Sequence, residues 1–288
     1  MTIDDIEKSP RIFGSEYDNH KLFEDLDTIK SFYEGLSYCN ITSIEPAALV
    51  SKSKVYTTST YIYSSMAGTM ESIAVLMHNG RCNDAFALVR KYCDSIILDI
   101  YKNILVNDFN NELCSKNVTS IIEKNKLKRW IDAEDRLFEE KEIIQVYKTI
   151  TNNFPELSQK FHLSEKNTLY HKLRDICNDN MHYNYLYTMA ANNWEIVRAH
   201  DKLRKDLITT IHFAIRLFFT IHFSYTYVGN PSILGSTDFT DYLDCGEQPP
   251  EGCERWVPTI VQTAFTLIKE YRPQIANYLL SLDLMDLE

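Results

Sequence analysis

The chain has 288 residues, long enough for a sizeable core, and is 44% apolar and 24% charged, the balance of an ordinary soluble globular protein. Its formal net charge of −10 argues against a broad nucleic-acid-binding surface but leaves room for a local basic site. Seven scattered cysteines and an opening without secretory-signal character lead us to expect free thiols and a cytoplasmic location.

With only 8 Gly and 8 Pro, turn formers are scarce, and long stretches carry helical periodicity. The expected fold class is all-α: a helical bundle of about seven to nine helices, with a long loop before the C-terminal helix. Residues 1–19 read as a polar arm, and 20–228 as the bundle. A first helix is expected over Lys21–Leu36 and a second from Ala47 to His78, the latter with Met66, Met70, Ile73, Ala74 and Met77 inward. Asn79-Gly80 stops it. Asn83 or Asp84 then caps a helix from Ala85 to about Val106, whose edge carries Arg90 and Asp94 four residues apart. That spacing predicts a structural ion pair holding two helices in register.

Shorter helices are expected over 107–153. The basic run Lys124–Arg129 ends in Trp130 and is followed by the acidic run Glu134–Glu142; both have the composition of solvated helix faces. Pro155 opens a further short helix. Ser164 is the expected N-cap of a helix over Leu169–Leu186, with Leu169, Leu173, Ile176, Cys177 and Met181 as its apolar stripe. Asn192-Asn193 mark a break before a long helix over Trp194–Val228. There His212 and His222 read as core histidines with satisfied partners, and His212, Arg216 and His222 interrupt what would otherwise resemble a membrane span. Residues 229–256, with Gly229-Asn230-Pro231, Gly235-Ser236, Gly246, Pro249-Pro250 and Gly252, are the loop-rich region and form an expected loop or partner-contact segment. Residues 257–288 supply a C-terminal helix over Pro258–Leu282.

The second stripe of the 169–186 helix is unusual. His171, Arg174, Asp175, Asn178, His182 and Tyr185 share one sector at about 100° per residue. A solvated face normally carries Glu and Lys, whereas these residue types suit proton transfer and anion binding. Cleaving RNA without a metal requires removing a 2′-hydroxyl proton, stabilising a crowded phosphate and protonating the leaving oxygen. Arg174 has the forked donors to hold phosphate oxygens and His182 the imidazole for acid–base work. Asn178 would orient either group, Asp175 would fix Arg174 or His171, and His171 and Tyr185 would contact substrate. One helix supplies half of such a site, and a symmetric homodimer would supply the rest.

No Gly-rich phosphate loop, His-Glu-x-x-His or Gly-x-Ser-x-Gly elbow occurs, and no Glu lies three residues before any His. Cys245 and Cys253 are too far apart for a zinc ligand pair. Neither a metal nor a cofactor is expected.

Arg174-Asp175 followed by His182 resembles the motif of the HEPN superfamily, all-helical proteins that include many metal-independent ribonucleases of toxin–antitoxin, CRISPR and phage-defence systems. That motif is an Arg, a polar residue, then a His after four to six intervening residues. Here seven residues separate Arg174 from His182, six of them after Asp175, which still leaves the two only about 80° apart around a helix. Gly80-x-x-x-Asp84-Ala85-x-x-Leu88-x-Arg90, with Asp94 beyond, is similar to the second core helix of such bundles. The resemblance spans residues 60–228. It implies a metal-independent endoribonuclease acting on RNA as a toxin or defence effector. The alternative on the same fold is a non-catalytic interaction module with a protein partner, in which the polar stripe is a hydrogen-bonded seam between helices.

Overall fold

A computed structural model describes residues 19–39, 54–115, 126–182, 186, 189 and 201–288. The expected arm apart from its last residue, the start of the second helix, Lys124, Tyr185, Asn192-Asn193 and Trp194 lie outside the described residues. The architecture is an all-α bundle, with eleven α-helices among the described residues. They are α1 (Leu22–Cys39), α2 (Lys54–His78), α3 (Cys82–Ser115), α4 (Lys126–Ile131), α5 (Ile143–Asn153), α6 (Pro155–Phe161), α7 (Leu169–Met181), α8 (Asp201–Gly229), α9 (Asp238–Asp244), α10 (Thr259–Tyr271) and α11 (Pro273–Leu282).

The core lies among α1, α2, α3 and α8. The residues that periodicity turns inward are buried: Leu26, Ile29, Phe32 and Tyr33 on α1; Met66, Met70, Ile73 and Met77 on α2; Phe86, Val89, Cys93, Ile96, Ile97 and Ile100 on α3; Ile211, Ile215, Phe218 and Phe219 on α8. Each large apolar side chain withdrawn from water contributes on the order of 1.5–3 kcal/mol. Gly80, at φ 70°, makes the expected stop between α2 and α3 in the left-handed region that glycine enters without a Cβ penalty. Gly35 lets α10 approach α1, since a Cβ there would fall 1.8 Å from Ile260 Cδ1.

Several boundaries differ from expectation for local reasons. The third helix begins at Cys82 and continues to Ser115. Asn83 is no cap, because its side chain is buried and donates to the Asn180 carbonyl at 2.8 Å. Thr168, not Ser164, caps α7, its hydroxyl accepting from the His171 amide at 3.4 Å. The expected C-terminal helix is two helices. Arg272 precedes Pro273 and sits at φ −135°, ψ 65°, as the proline ring disfavours helix in the residue before it. Residues 229–256 contain α9 and two 3₁₀ turns, with Ile233 and Leu234 buried and Ser236 N–H bonded to the Trp256 carbonyl at 2.7 Å.

Within α8, Lys205–Gly229 is long and apolar enough by composition to cross a membrane, despite His212, Arg216 and His222. Of its most apolar window, 72% is buried inside the bundle, the position of a core helix. Its polar residues have partners there. His212 Nε2 lies 2.5 Å from the buried Asp25 carboxylate, which also pairs with Arg216. His222 is bonded to the Tyr33 hydroxyl at 2.7 Å and to Asp99 at 3.0 Å.

Candidate functional site

Helix α7 packs on α3 through Tyr170, Leu173, Cys177 and Asn180, all buried. This face is rotated from the apolar stripe read in the sequence, and Leu169 and Ile176 are exposed. Two polar residues account for the rotation. The Tyr170 hydroxyl is buried against the Cys93 thiol (3.2 Å) and the Tyr147 hydroxyl (3.1 Å). The Asn180 side-chain amide donates to the Ile176 carbonyl at 2.8 Å, and its backbone carbonyl accepts from Asn83 at 2.8 Å. Buried polar groups of this kind stay inside because they are hydrogen-bonded.

The rotation leaves Arg174, Asn178 and His182 on successive turns along one wall of an open cleft of 1240 Å³. Arg90, Lys91 and Asp94 of α3 line its base, and the segment from Trp130 to Glu140 forms the facing wall. Helix α7 ends at Met181. His182 is the C-terminal cap, at φ −96°, ψ 7°, and is exposed.

Arg90 and Asp94 form the expected pair, and Asp94 also reaches across to α7, its Oδ1 lying 3.9 Å from Arg174 Nε. One carboxylate thus serves two guanidiniums on two helices. Burial works against the Arg90 charge, but the bond to Asp94 more than offsets it and the pKa is raised. Arg90 Nε and Arg174 Nε are buried and have no hydrogen-bond partner. Two arginines share one aspartate here, within a lining that carries the cations Arg90, Lys91, Arg136 and Arg174 and the carboxylates Asp94, Glu134, Asp135, Glu139 and Glu140.

The remaining stripe residues are placed differently. Asp175 is exposed and is not among the residues that line the cleft. His171 is turned to the Leu163 carbonyl, 2.9 Å from its Nε2, with its ring edge-on to Tyr147 and Tyr170. Tyr185 lies outside the described residues. Of the basic run, Lys126, Lys128 and Arg129 pair with Glu142, Asp132 and Asp135 at 3.2, 3.0 and 3.0 Å, the behaviour of a solvated helix face. Trp130 instead lines the cleft, as do Glu134, Asp135, Glu139 and Glu140. The sequence carried no sign that this acidic segment would fold across from α7. Burial raises the thiol of Cys93 to about 12, and that of Cys177 also rises for the same reason. Neither is a nucleophile near neutral pH.

No group of three or more His, Cys, Asp or Glu among the described residues has a geometry that could hold a metal ion. Compared with protein-family models, with curated proteins and with solved structures, the chain finds no match. The molecule is defined by its own geometry, as an all-α bundle with an arginine-based cleft ending in an exposed histidine.

Proposed function

We propose that the protein is a metal-independent endoribonuclease of HEPN type, acting in the cytoplasm as a toxin or phage-defence effector. The observation that supports this most is the row Arg174, Asn178 and His182 along one wall of the cleft, with the imidazole exposed to substrate. The guanidiniums of Arg90 and Arg174 supply a place for phosphate, where charge-assisted donors stabilise negative charge most strongly. An imidazole takes the 2′-hydroxyl proton. The 2′-oxygen attacks phosphorus, the 5′-oxygen leaves, and an imidazole returns a proton to it, leaving a 2′,3′-cyclic phosphate.

Eight residues of helix separate Arg174 from His182 by about 12 Å along the axis, too far for both to close on one phosphate from the same chain. The reading therefore includes a two-fold homodimer, in which a second copy brings its own row to face the first. The test is incubation of the full chain with RNA in excess chelator. The wild type should cut the RNA. His182→Ala should lose about 10²–10⁴-fold in rate with an unchanged melting temperature. If the wild type leaves RNA intact and its expression harms no host, the proposal fails.

A second reading is favoured by the facing wall, where Glu134, Asp135, Glu139 and Glu140 oppose a polyanion. On that reading the bundle is a non-catalytic interaction module whose partner is a basic protein surface. RNA would be untouched, and Arg174→Ala would register only as a lower melting temperature.

A further inference from the structure

Beside the cleft runs a second groove, of 430 Å³, between α2, α3 and α4. Ser95, Leu98 and Trp130 line both, so the two are continuous and the indole stands on their shared rim. Across the groove is Tyr61, which is 70% exposed although it lies inside helix α2. The two aromatic walls differ in rigidity. Trp130 is partly buried and packs against the small cluster Val106, Leu127 and Leu137, which fixes one side of the ring and leaves the rest to the groove. Tyr61 has no such backing.

We propose that this groove is a base-stacking subsite. It takes one unpaired nucleobase of an RNA strand, held against Trp130 and Tyr61, while the adjoining phosphate lies against Arg90 and Arg174. The proposal rests on the ribonuclease reading and adds the form of the substrate: single-stranded at the position bound, because a paired base cannot leave its stack to enter a groove. Three features select this occupant. The groove joins the cleft at Ser95, on the same helix as Arg90 and Lys91, which line the cleft. Two of its lining residues, Tyr61 and Trp130, offer flat π surfaces, which every base can stack on regardless of sequence. The neighbouring hydroxyls are polar: Ser95 Oγ donates to the Lys91 carbonyl at 2.9 Å, which leaves its lone pairs to accept from a base edge. An apolar peptide side chain would not use these groups.

The test measures binding on full-length His182→Ala protein, so that the RNA stays intact. The ligands are a short single-stranded RNA, the same strand with abasic positions, and inorganic polyphosphate. The stacking subsite predicts that Tyr61→Ala weakens RNA binding by about five- to 150-fold, the range for one stacked base. Tyr61→Phe should restore binding, and neither change should affect polyphosphate. Tyr61 is exposed, so both variants should melt with the parent. Abasic RNA should bind the parent as weakly as intact RNA binds Tyr61→Ala. If RNA binds but Tyr61→Ala and abasic RNA bind equally well, the subsite is wrong and the ribonuclease reading stands. If no RNA binds at all, both fall. If a mainly apolar peptide competes for the groove with no loss of phosphate binding, the occupant has been misassigned.

Discussion

Two aspartates five positions apart on α3 organise two different polar clusters. Asp99 is sealed: its side chain is 0% exposed, with Lys102 Nζ 3.0 Å from Oδ1 and His222 3.0 Å from Oδ2. The cluster continues through Tyr33 to Tyr92 at 2.7 Å and through Lys102 to Ser59 at 2.8 Å. Asp94 is open, 50% exposed, and shared between Arg90 and Arg174. In the sealed cluster each charge has a close opposite charge. In the open one two guanidiniums share a single carboxylate. A core tolerates ionic groups when they are paired and bonded, so the first cluster can be explained by folding alone. Two guanidiniums that share one half-exposed carboxylate beside a cleft can take a further anion, which a sealed pair cannot.

The largest expected effect breaks the sealed cluster. Asp99→Ala leaves the Lys102 ammonium buried without a counter-charge and should cost about 3–5 kcal/mol of stability, read by chemical denaturation. Asp94→Ala should cost less, about 1–3 kcal/mol, since it strips the buried Arg90 donors of their partner but Asp94 itself is 50% exposed, and it should tighten polyphosphate binding by removing the carboxylate that the two arginines share. Equal stability losses would erase the distinction between the clusters.

Acid supplies a smaller effect with a definite sign. Burial would push the Asp99 carboxyl up, but the charge of Lys102 and the bond from His222 outweigh it and hold the group far below the ordinary range. A depressed folded-state pKa gives stability that is fully present above the unfolded value of about 4 and is lost as pH falls below it. Asp25 is depressed as well: burial pushes it up, and the bonds to His212 and Arg216 outweigh that. It therefore adds to the same loss. Asp99→Asn should start less stable and then lose less between pH 4 and lower values than the wild type does. An unchanged acid slope would mean that Asp99 is not the linked group.

The sealed cluster was half legible in the sequence and the open one nearly so. His222 on an apolar helix face reads directly as a bonded core histidine. Asp99 and Lys102 do not, because an i, i+3 charge pair on a helix looks the same whether solvated or buried, and only the distant Tyr33 and His222 decide which. Arg174, Asn178 and His182 could be placed on one face by period alone. His171 and Asp175 fall in the same sector yet lie elsewhere, since a helix wheel records angle and not what packs at each level. The Leu163 carbonyl takes up His171. The face that α7 buries was misread because Tyr170 and Asn180 count as polar by composition, whereas each has buried bonds that hold it inside. The Glu134–Glu140 wall depends on how a connection folds back, which no periodicity encodes.

The smallest expected effect concerns the backbone of that wall. Ala133 follows α4 at φ 59°, in the left-handed region that costs an L-residue with a Cβ about 1–2 kcal/mol. The turn closes a helix end: Ala133 N–H bonds to the Trp130 carbonyl at 3.1 Å and Glu134 N–H to the Arg129 carbonyl at 2.8 Å. Glycine is the usual residue at such a position. Ala133→Gly should relieve the strain at some cost in chain entropy, for a net gain of about 0.5–1 kcal/mol and a melting temperature raised by a few degrees at most. Cleft residues carry strain of this kind when the position serves a geometry beyond folding, and Ala133 lies in the wall that carries Trp130. The informative measurement is therefore the pair of values, stability and RNA affinity, on the same variant. A gain in stability with weakened RNA binding would show that the left-handed alanine sets the pose of the indole. A loss of stability would show instead that the alanine methyl packs usefully, and the left-handed turn would then be explained by packing alone.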